Sequence, residues 1–240
     1  MAAAHSAIAA YLRERREAAA LTRAELAQRA GLSAALIQKI EQGTRAPTST
    51  ALGAIFDVLR VPAQMRDHVL YLLRKDLTGT EPGCETPEPA DLTFLHSLPY
   101  PACFQTIPGH ELIAVNDAYR DVFPGLEPGS NIIMWMMLDP VARQVMPSWE
   151  REAGLMVYSF RVMAPGLVDP ARIEEIVRVC RKAPEWERLW AAEVPPEDIP
   201  RAPVPLRSPG SETVRFMHVH LLKFELPRRP WWIYSLVPDE

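Results

Sequence analysis

Residues 22–33 read Thr22-Arg-Ala-Glu-Leu-Ala-Gln-Arg-Ala-Gly-Leu-Ser33, and they carry the signals that begin one short helix, end it and begin the next. Thr22 and Glu25 have the spacing of a capping box, in which each side chain bonds the backbone amide of the other. Gly31 can adopt the left-handed conformation that ends a helix, and Ser33 can cap the following one. Two short helices with so tight a turn indicate a helix-turn-helix unit, whose second helix can enter a DNA major groove.

Helical spacing of apolar residues extends this pattern on both sides. Residues 8–19 carry an apolar stripe that predicts a first helix before the unit. After it, the third helix ends at Gly43, and two more follow, one beginning near Thr48 and one over about residues 63–75. These signals predict an all-α domain of five helices over residues 1–76.

The motifs of this segment, taken together, resemble the five-helix repressors of the Xre/Cro family. The resemblance rests on residues 22–31, on Leu32-Ser33 and on Ile40-Glu-Gln-Gly-Thr-Arg-Ala-Pro47, and it covers about residues 6–75. It implies that this domain binds double-stranded DNA, with the third helix as the recognition helix.

The resemblance also implies DNA-contacting roles at the matching positions. Arg23 and Gln28 match residues that touch phosphates or neighbouring bases, and Arg45 matches a phosphate contact in the loop after the recognition helix. Arg16 and Glu41 match a pair that joins the first and third helices, where we expect a partly buried salt bridge rather than a DNA contact. The expected DNA-binding residues are Arg23, Gln28, Ser33, Ala34, Ala35, Gln38, Lys39 and Arg45.

Two alanines depart from the pattern of related repressors. Ala34 and Ala35 occupy positions where those proteins often carry amide or charged side chains that read base edges, whereas alanine contacts only a thymine methyl group. Direct readout then depends mostly on Gln38 and Lys39, with phosphate contacts adding affinity. A retained domain that no longer binds DNA is therefore the alternative for this segment.

Charge, proline and tryptophan divide the chain near residue 76. Residues 1–75 contain 11 Lys and Arg against 6 Asp and Glu, a net charge of +5, whereas the remainder carries −9. Of the 24 prolines, 22 follow residue 76, as do all six tryptophans. The basic excess of the first part favours binding to a polyanion such as DNA, and the acidic second part indicates a different function. The Pro-, Gly- and Glu-rich stretch at the junction predicts a linker over residues 77–90.

The order of elements over residues 91–240 predicts an α+β domain. Two strands, a group of helices and then three strands is the order of a PAS-type domain, in which an antiparallel five-stranded sheet packs against helices around a cavity. The predicted strands are 102–107, 111–115 and about 203–207, 213–225 and 231–237. The predicted helices are 116–123, 131–138, about 141–163, about 171–182 and 184–190.

Motifs spread over this second part carry another resemblance. They are Ile113-Ala-Val-Asn116, residues 131–140, Ser148-Trp-Glu150, Ala183-Pro-Glu-Trp-Glu-Arg-Leu-Trp190 and the strand from Phe216 to Pro227. Together they resemble the ligand-binding domain of MmyB-like regulators, over about residues 90–238. The resemblance implies a ligand-responsive one-component transcriptional regulator and not an enzyme, with a PAS-like pocket for an apolar small molecule of the fatty-acyl class. Trp231-Trp232 departs from it, because aliphatic residues are expected there.

Methionine and aromatic residues supply the candidate pocket. Such side chains can repack around chains of varied length, although they could equally fill a core, and the resemblance favours the pocket. Arg161 and His218 are candidates, by residue type alone, for holding a carboxylate head. The predicted ligand-binding residues are Phe104, Ile133, Met136, Met137, Met156, Phe160, Arg161, Met217, His218, Val219, Trp232 and Tyr234.

A different class of function stays open for the second part. His218 and His220 alternate on a predicted strand, so both project from one face and could bind metal or haem. The alternative is therefore a PAS-type haem-binding, metal-binding or catalytic protein with a vestigial helix-turn-helix domain. The sequence shows no GxSxG, P-loop or GxGxxG motif, so we predict no catalytic residue, no metal and no cofactor.

The remaining expectations concern assembly and location. One short recognition helix buries too little surface for tight specific binding, so we expect a homodimer with half-sites about 34 Å apart. No apolar run approaches the roughly 20 residues that span a bilayer. The start becomes charged after Ala10 without the pattern of a secretory signal, and three cysteines without CxxC spacing argue against a disulfide framework. We expect a cytoplasmic protein with no membrane partner.

Overall fold

The structure, a computed structural model, describes residues 2–61, 65–67, 69–70, 86–194, 203–208, 210, 212–225 and 228–239. The chain divides into two compact units. The first is Met1–Thr80 with Val162–Asp169, and the second is Glu81–Arg161 with Pro170–Glu240. No helix within the described residues combines the length and the apolar character needed to cross a membrane.

Four helices of the first unit form where the sequence predicts them. The Thr22 hydroxyl accepts the Glu25 amide at 3.2 Å and the Glu25 carboxylate accepts the Thr22 amide at 2.8 Å, so the capping box is confirmed. Gly31 ends its helix in the left-handed region, with a φ of 65°, and Ser33 caps the next helix. The helices are α1 (Ala2–Ala18), α2 (Arg23–Ala30), α3 (Ala34–Glu41) and α4 (Ser49–Val58).

Two predicted features fall largely outside the described residues. Of the fifth helix expected over residues 63–75, residues 65–67 and 69–70 are helical. The linker expected over residues 77–90 is described only from residue 86. Its last two residues belong to a helix that begins at Pro89, so the helix starts earlier than the domain boundary predicted from the sequence.

The second unit contains a five-stranded antiparallel sheet with helices, which confirms the predicted α+β class. Its strands are β1 (Ala102–Gln105), β2 (Leu112–Val115), β3 (Val204–Arg207), β4 (Val214–Glu225) and β5 (Arg228–Pro238). They lie in the order β2-β1-β5-β4-β3, and each neighbouring pair is antiparallel. The helices are α5 (Pro89–Ser97), α6 (Asp117–Val122), α7 (Ile132–Leu138), α8 (Pro140–Val145), α9 (Trp149–Met163), α10 (Pro170–Cys180) and α11 (Trp186–Ala191).

Two helical regions differ from the sequence expectation. Helix α5 occupies residues that the sequence analysis assigned partly to the linker and left partly unassigned. Its start nevertheless carries two helix signals, because Pro89 lies in its first turn and the Glu88 amide donates to Asp91 Oδ2 at 2.9 Å. The single helix expected over residues 141–163 is two helices, α8 and α9. Pro147 lies between them, and proline in a helix interior removes a backbone hydrogen bond and clashes with the preceding turn.

Helix α5 covers one face of the sheet, which we call the α5 face. Leu95 of this helix, Phe104 of β1 and Trp231 of β5 belong to one buried apolar cluster. An ion pair strengthens the contact, because Arg229 Nη2 lies 3.0 Å from Asp91 Oδ2 in the first turn of the helix. The first turn of α5 is thereby attached to the start of β5.

The strand register assigns the other side chains to faces, because successive residues of a strand project to opposite sides. Phe104 pairs with Ile233 and lies on the α5 face, whereas Cys103 pairs with Tyr234 and lies on the opposite face. We call the opposite face the α9 face, because Tyr234 lies within electrostatic range of Glu152 in α9.

A buried asparagine joins the hairpin to the segments on either side of it. Asn116 Oδ1 accepts the amides of Ala102 at 3.0 Å and of Tyr119 at 2.9 Å. Its Nδ2 donates to the carbonyls of Leu98 at 3.2 Å and of Tyr100 at 2.8 Å. Asn116, which also caps α6, therefore connects α6, β1 and the segment before β1.

Candidate DNA interface and ligand groove

Helix α3 has one buried and one exposed side. Ile37 and Ile40 are buried, and they fix the helix against the rest of the first unit. The outer side of the helix and its cap carry Ser33, Ala34, Ala35, Gln38 and Lys39, which are all exposed. Gln28 of α2 and Arg45, in the loop after α3, are exposed as well. The structure therefore leaves the predicted DNA-contacting surface open.

A buried carboxylate organises the base of this surface. Glu41 accepts from Arg16 Nε at 2.6 Å and from Arg16 Nη2 at 3.1 Å, so α1 and α3 are joined by the predicted salt bridge. Arg23 Nε of α2 also donates to Glu41, at 2.7 Å. Burial alone would raise the pKa of Glu41, but the hydrogen bonds from Arg16 and Arg23 outweigh burial and hold that pKa below its usual value.

Arg23 is therefore both a predicted DNA contact and part of the salt-bridge network. Its side chain keeps 45% exposure while its Nε is held by Glu41, so the guanidinium is fixed in direction at the start of α2. An open hollow of about 460 Å³ adjoins it, with Arg13 of α1 on its wall. Arg13, which the sequence reasoning did not select, adds a second basic side chain beside Arg23.

The predicted ligand residues lie in different places in the second unit. The structure does not bring Phe104 and His218 together with the others, because both lie on the α5 face. On the α9 face of the sheet lie Met217, Val219, Trp232 and Tyr234. In the helices lie Ile133, Met136 and Met137 of α7, and Met156, Phe160 and Arg161 of α9.

Several helical members of the set pack into the core between helices. Met136 and Phe160 are buried. The Trp149 indole donates to the Met136 carbonyl at 2.8 Å, and the Phe160 ring lies 6.5 Å from the Trp190 ring, measured between centroids. Met156 differs, because its side chain stays partly exposed.

Partly exposed side chains occur on one side of α9 and on the α9 face of the sheet. Glu152, Met156 and Ser159 follow one side of α9 at helical spacing, and each is partly exposed. Trp232 and Tyr234 of β5 are also partly exposed, although Tyr234 lies within electrostatic range of Glu152. We call the region bordered by Glu152, Met156, Trp232 and Tyr234 the α9 groove and treat it as a candidate ligand site.

Polar groups are buried in the core beside Tyr234. The Tyr119 hydroxyl of α6 donates to Cys103 Sγ, and burial raises the pKa values of both, that of the thiol to about 12. Burial likewise raises the pKa of Tyr234, whose neighbours include Cys103 and Glu152. The sequence analysis selected none of Cys103, Tyr119 and Glu152. Their shared position depends on the register of β1 against β5, which the sequence does not reveal.

Both residues predicted to hold a carboxylate head, Arg161 and His218, already have protein partners. Arg161 Nη1 donates to the Trp190 carbonyl at 2.7 Å, and its Nη2 pairs with Glu193 at 2.7 Å. His218 Nε2 lies 2.9 Å from Asp239 Oδ1 on the other side of the sheet. Each side chain thus already has a protein partner, and its role in holding a carboxylate head stays a prediction.

The histidine pair projects from one face of β4, as its alternation predicts. His218 and His220 both lie on the α5 face of the sheet, and the His218 side chain is 43% exposed. Over the residues that the structure describes, no three side chains of His, Cys, Asp or Glu are placed to hold a metal ion.

Comparison with protein families assigns both parts of the chain. Residues 7–69 match the model of a helix-turn-helix domain family. Residues 88–240 match the model described as the MmyB-like transcription regulator ligand binding domain, which spans more than half of the chain. A search of curated proteins gives no match.

Proposed function

Because this chain belongs to the MmyB-like transcription regulators, we propose that it binds DNA as a homodimer under the control of an apolar, fatty-acyl-like molecule. The N-terminal helix-turn-helix domain is the DNA-binding part of this ligand-responsive regulator, and the C-terminal domain is the ligand-binding part. We propose that it acts in the cytoplasm, where a helix-turn-helix regulator can reach DNA. The observation that carries the ligand proposal is the α9 groove.

The sheet supports a PAS-like description of the C-terminal domain. In the sheet, the last strand of the chain, β5, lies between β1 and β4. In the sequence, helices α6 to α11 lie between β2 and β3. Such a domain holds its ligand between the sheet and the helices that connect its two halves. The α9 groove lies in that position.

The exposed surface of α3 supports the DNA proposal. Its buried side is apolar and its outer side presents Gln38 and Lys39, which can bond base edges in a major groove. One such helix gives limited contact area, so two copies on half-sites about one helical turn apart supply the affinity that a regulator needs.

Single substitutions should separate base reading from phosphate contact. Lys39→Ala should lower discrimination between the preferred and a scrambled site by about 1–3 kcal/mol, because a base-edge contact is lost. Arg45→Ala should weaken both sites alike and reduce the slope of log K against log salt by about 1. The measurement is fluorescence anisotropy over a salt series, on a site selected from a random-sequence library.

Arg29→Ala is the matched control, since Arg29 is an exposed arginine of the same unit without a predicted DNA contact. Failure of the wild-type protein to enrich any sequence from the library would rule out specific DNA binding. Equal effects of Lys39→Ala on both sites would instead remove Lys39 from base reading.

An acyl chain suits the α9 groove for energetic reasons. Each buried methylene contributes about 0.8 kcal/mol, so a chain of ten carbons can bind with few polar contacts. Met156 and Trp232 provide a polarizable and an aromatic wall that can adapt to such a chain.

Filling the groove should weaken ligand binding. Met156→Trp places a larger side chain between α9 and the sheet, so the affinity for a ten-carbon alcohol should fall at least about tenfold, as the chain loses methylene contacts. Isothermal titration calorimetry of the full chain with decan-1-ol measures it. Leu222→Trp is the control, because Leu222 is 57% exposed on the opposite face of the sheet. Unchanged affinity in Met156→Trp would show that the ligand binds elsewhere.

A further inference from the structure

The hollow beside Arg23 is built by three helices of the first unit. Arg13 lines it from α1, Arg23 from the start of α2, and Gln42 and Gly43 from the chain directly after α3. Its volume is about 460 Å³. Gly43 stands two residues before Arg45, a predicted phosphate contact, and Arg23 is itself a predicted DNA contact. We call this place the α1 hollow, and it adjoins the predicted DNA surface.

One side of α1 forms a wall of the hollow. Its lining residues recur at the spacing of neighbours on one helix face. They are Ser6, Ala9, Ala10 and Arg13. The two alanine side chains are short, so they leave space in front of the helix, and both Ser6 and Arg13 are exposed. The wall therefore combines free space with a hydroxyl group and a cation.

The charged groups of the hollow favour an anion. Arg23 Nε donates to Glu41 Oε2 at 2.7 Å, and the Arg23 side chain keeps 45% exposure, so its outer nitrogens stay accessible. No ion pair among the residues that the structure describes includes Arg13. The Glu41 side chain at the base is 2% exposed and is also bound by Arg16. An anion that enters the hollow therefore meets two guanidinium groups before it meets a carboxylate.

The position of the hollow matches the path of a DNA backbone. In a helix-turn-helix unit the recognition helix lies in the major groove, and the helix before it crosses the backbone. Gln38 and Lys39 are the predicted base-reading residues of α3, and Gln42 follows them where the chain leaves that helix. The start of α2 and the end of α3 thus meet beside the phosphates that border the groove.

We propose that the α1 hollow holds one backbone phosphate of the bound DNA between Arg13 and Arg23. The two guanidinium groups donate charge-assisted hydrogen bonds to the phosphate oxygens, and the exposed Gln42 amide can donate another. Helix α1 thereby becomes a third DNA-contacting element, which adds affinity without reading sequence. This inference rests on the proposed function, because it adds a contact to the DNA complex proposed above.

Removing the Arg13 cation should weaken DNA binding without changing its selectivity. Arg13→Ala should lower the affinity for the selected site and for its scrambled version alike, by at least about fivefold, because one charged backbone contact is lost. The slope of log K against log salt should fall by about 1, whereas Arg13→Lys keeps the charge and should keep the slope. Fluorescence anisotropy of the full chain measures both quantities. Arg29→Ala, which removes an exposed arginine outside the hollow, is the matched control.

Filling the hollow tests its occupation without changing any charge. Ala10 is exposed on the α1 wall, so Ala10→Trp should exclude the phosphate and weaken both DNA sites by at least about threefold, as the charged hydrogen bonds are lost. Ala18→Trp is the control, because Ala18 is an exposed residue of the same helix outside the hollow. Circular dichroism with thermal melting checks that each variant folds.

Uncharged phosphates in the DNA test whether the two arginines share one phosphate. In a series of duplexes of the selected site, one phosphate of each half-site at a time is replaced by a neutral methylphosphonate. The losses of Arg13→Ala and Arg23→Ala should disappear at the same position, because the charged contact is already absent there. Arg45→Ala should lose its effect at a different position. A loss that came from damage to the fold would persist on every duplex.

The outcomes separate the α1 hollow from DNA binding itself. If the wild-type protein enriches no sequence from the random library, the proposed function fails and the phosphate site falls with it. If the wild-type protein binds its site but Arg13→Ala weakens it no more than Arg29→Ala, DNA binding stands and the phosphate site is overturned. Equal effects of Ala10→Trp and Ala18→Trp would also overturn it. So would losses of Arg13→Ala and Arg23→Ala that disappear at different phosphates or at none.

Discussion

Glu41→Ala is expected to lower the free energy of unfolding of the helix-turn-helix unit by about 3–5 kcal/mol, the cost of leaving a buried charge without its partner. The Arg16 side chain is 9% exposed and the Glu41 side chain 2% exposed, so water cannot replace the lost carboxylate. Arg23 would lose the same partner, and with it the fixed direction of its guanidinium. DNA affinity should therefore fall together with stability.

Chemical denaturation can assign this loss to one unit. All six tryptophans follow residue 76, so tryptophan fluorescence reports the second unit, while far-ultraviolet circular dichroism also reports the helices of the first. Glu41→Ala should shift a circular dichroism transition and leave the fluorescence transition in place. Glu17→Ala is the control: it removes an exposed partner of the same arginine and should cost no more than about 1 kcal/mol. Similar losses in both variants would show that the Glu41 pair contributes little.

The same carboxylate predicts how the first unit responds to acid. The pKa of Glu41 is lower in the folded than in the unfolded state, so its contribution is fully present above the unfolded value. The contribution is lost as the pH falls through the folded pKa, below the ordinary glutamate value of 4.5. The wild-type circular dichroism transition should lose stability over that acidic range more steeply than the transition of Glu41→Ala.

Asn116→Ala should destabilise the ligand-binding unit by about 3–4 kcal/mol, because four hydrogen bonds of about 1 kcal/mol each are lost. The Asn116 side chain is 2% exposed, so the backbone groups that it satisfies are left without water. Tryptophan fluorescence in urea measures the change, and the first unit should be unaffected. Asn116→Asp keeps the acceptor but replaces Nδ2, which donates to two carbonyls, so it should be at least as destabilising. A loss below 1 kcal/mol would mean that other groups take over these bonds.

Local signals predicted much of the fold. The capping box at Thr22, the left-handed Gly31 and the helix cap at Ser33 each depend on residues a few positions apart, and each forms as expected. The errors also have local causes. Pro147 splits a helix that hydrophobic spacing alone would continue, and the cap of α5 was hidden inside a proline-rich stretch that composition assigns to a linker.

The groove was less predictable because it depends on pairing between distant residues. Cys103 and Tyr234 share a face only through the register of β1 against β5, and Phe104 leaves the predicted set for the same reason. A shift of one residue would exchange the two faces completely. Residue type alone could not distinguish Met156, which is partly exposed on α9, from Met136, which is buried between helices.

The central position of β5 has a consequence for how the second unit is made. Strands β1 and β2 are synthesised more than 100 residues before β5, yet β1 finds its second neighbour only in β5. On the ribosome the early hairpin must wait with an unpaired edge until residues 228–238 emerge, and such non-local pairing makes folding slow. We therefore expect this unit to depend more on chaperones during translation than the helices that precede it. A small molecule that contacts β5 could bind only after the sheet is complete.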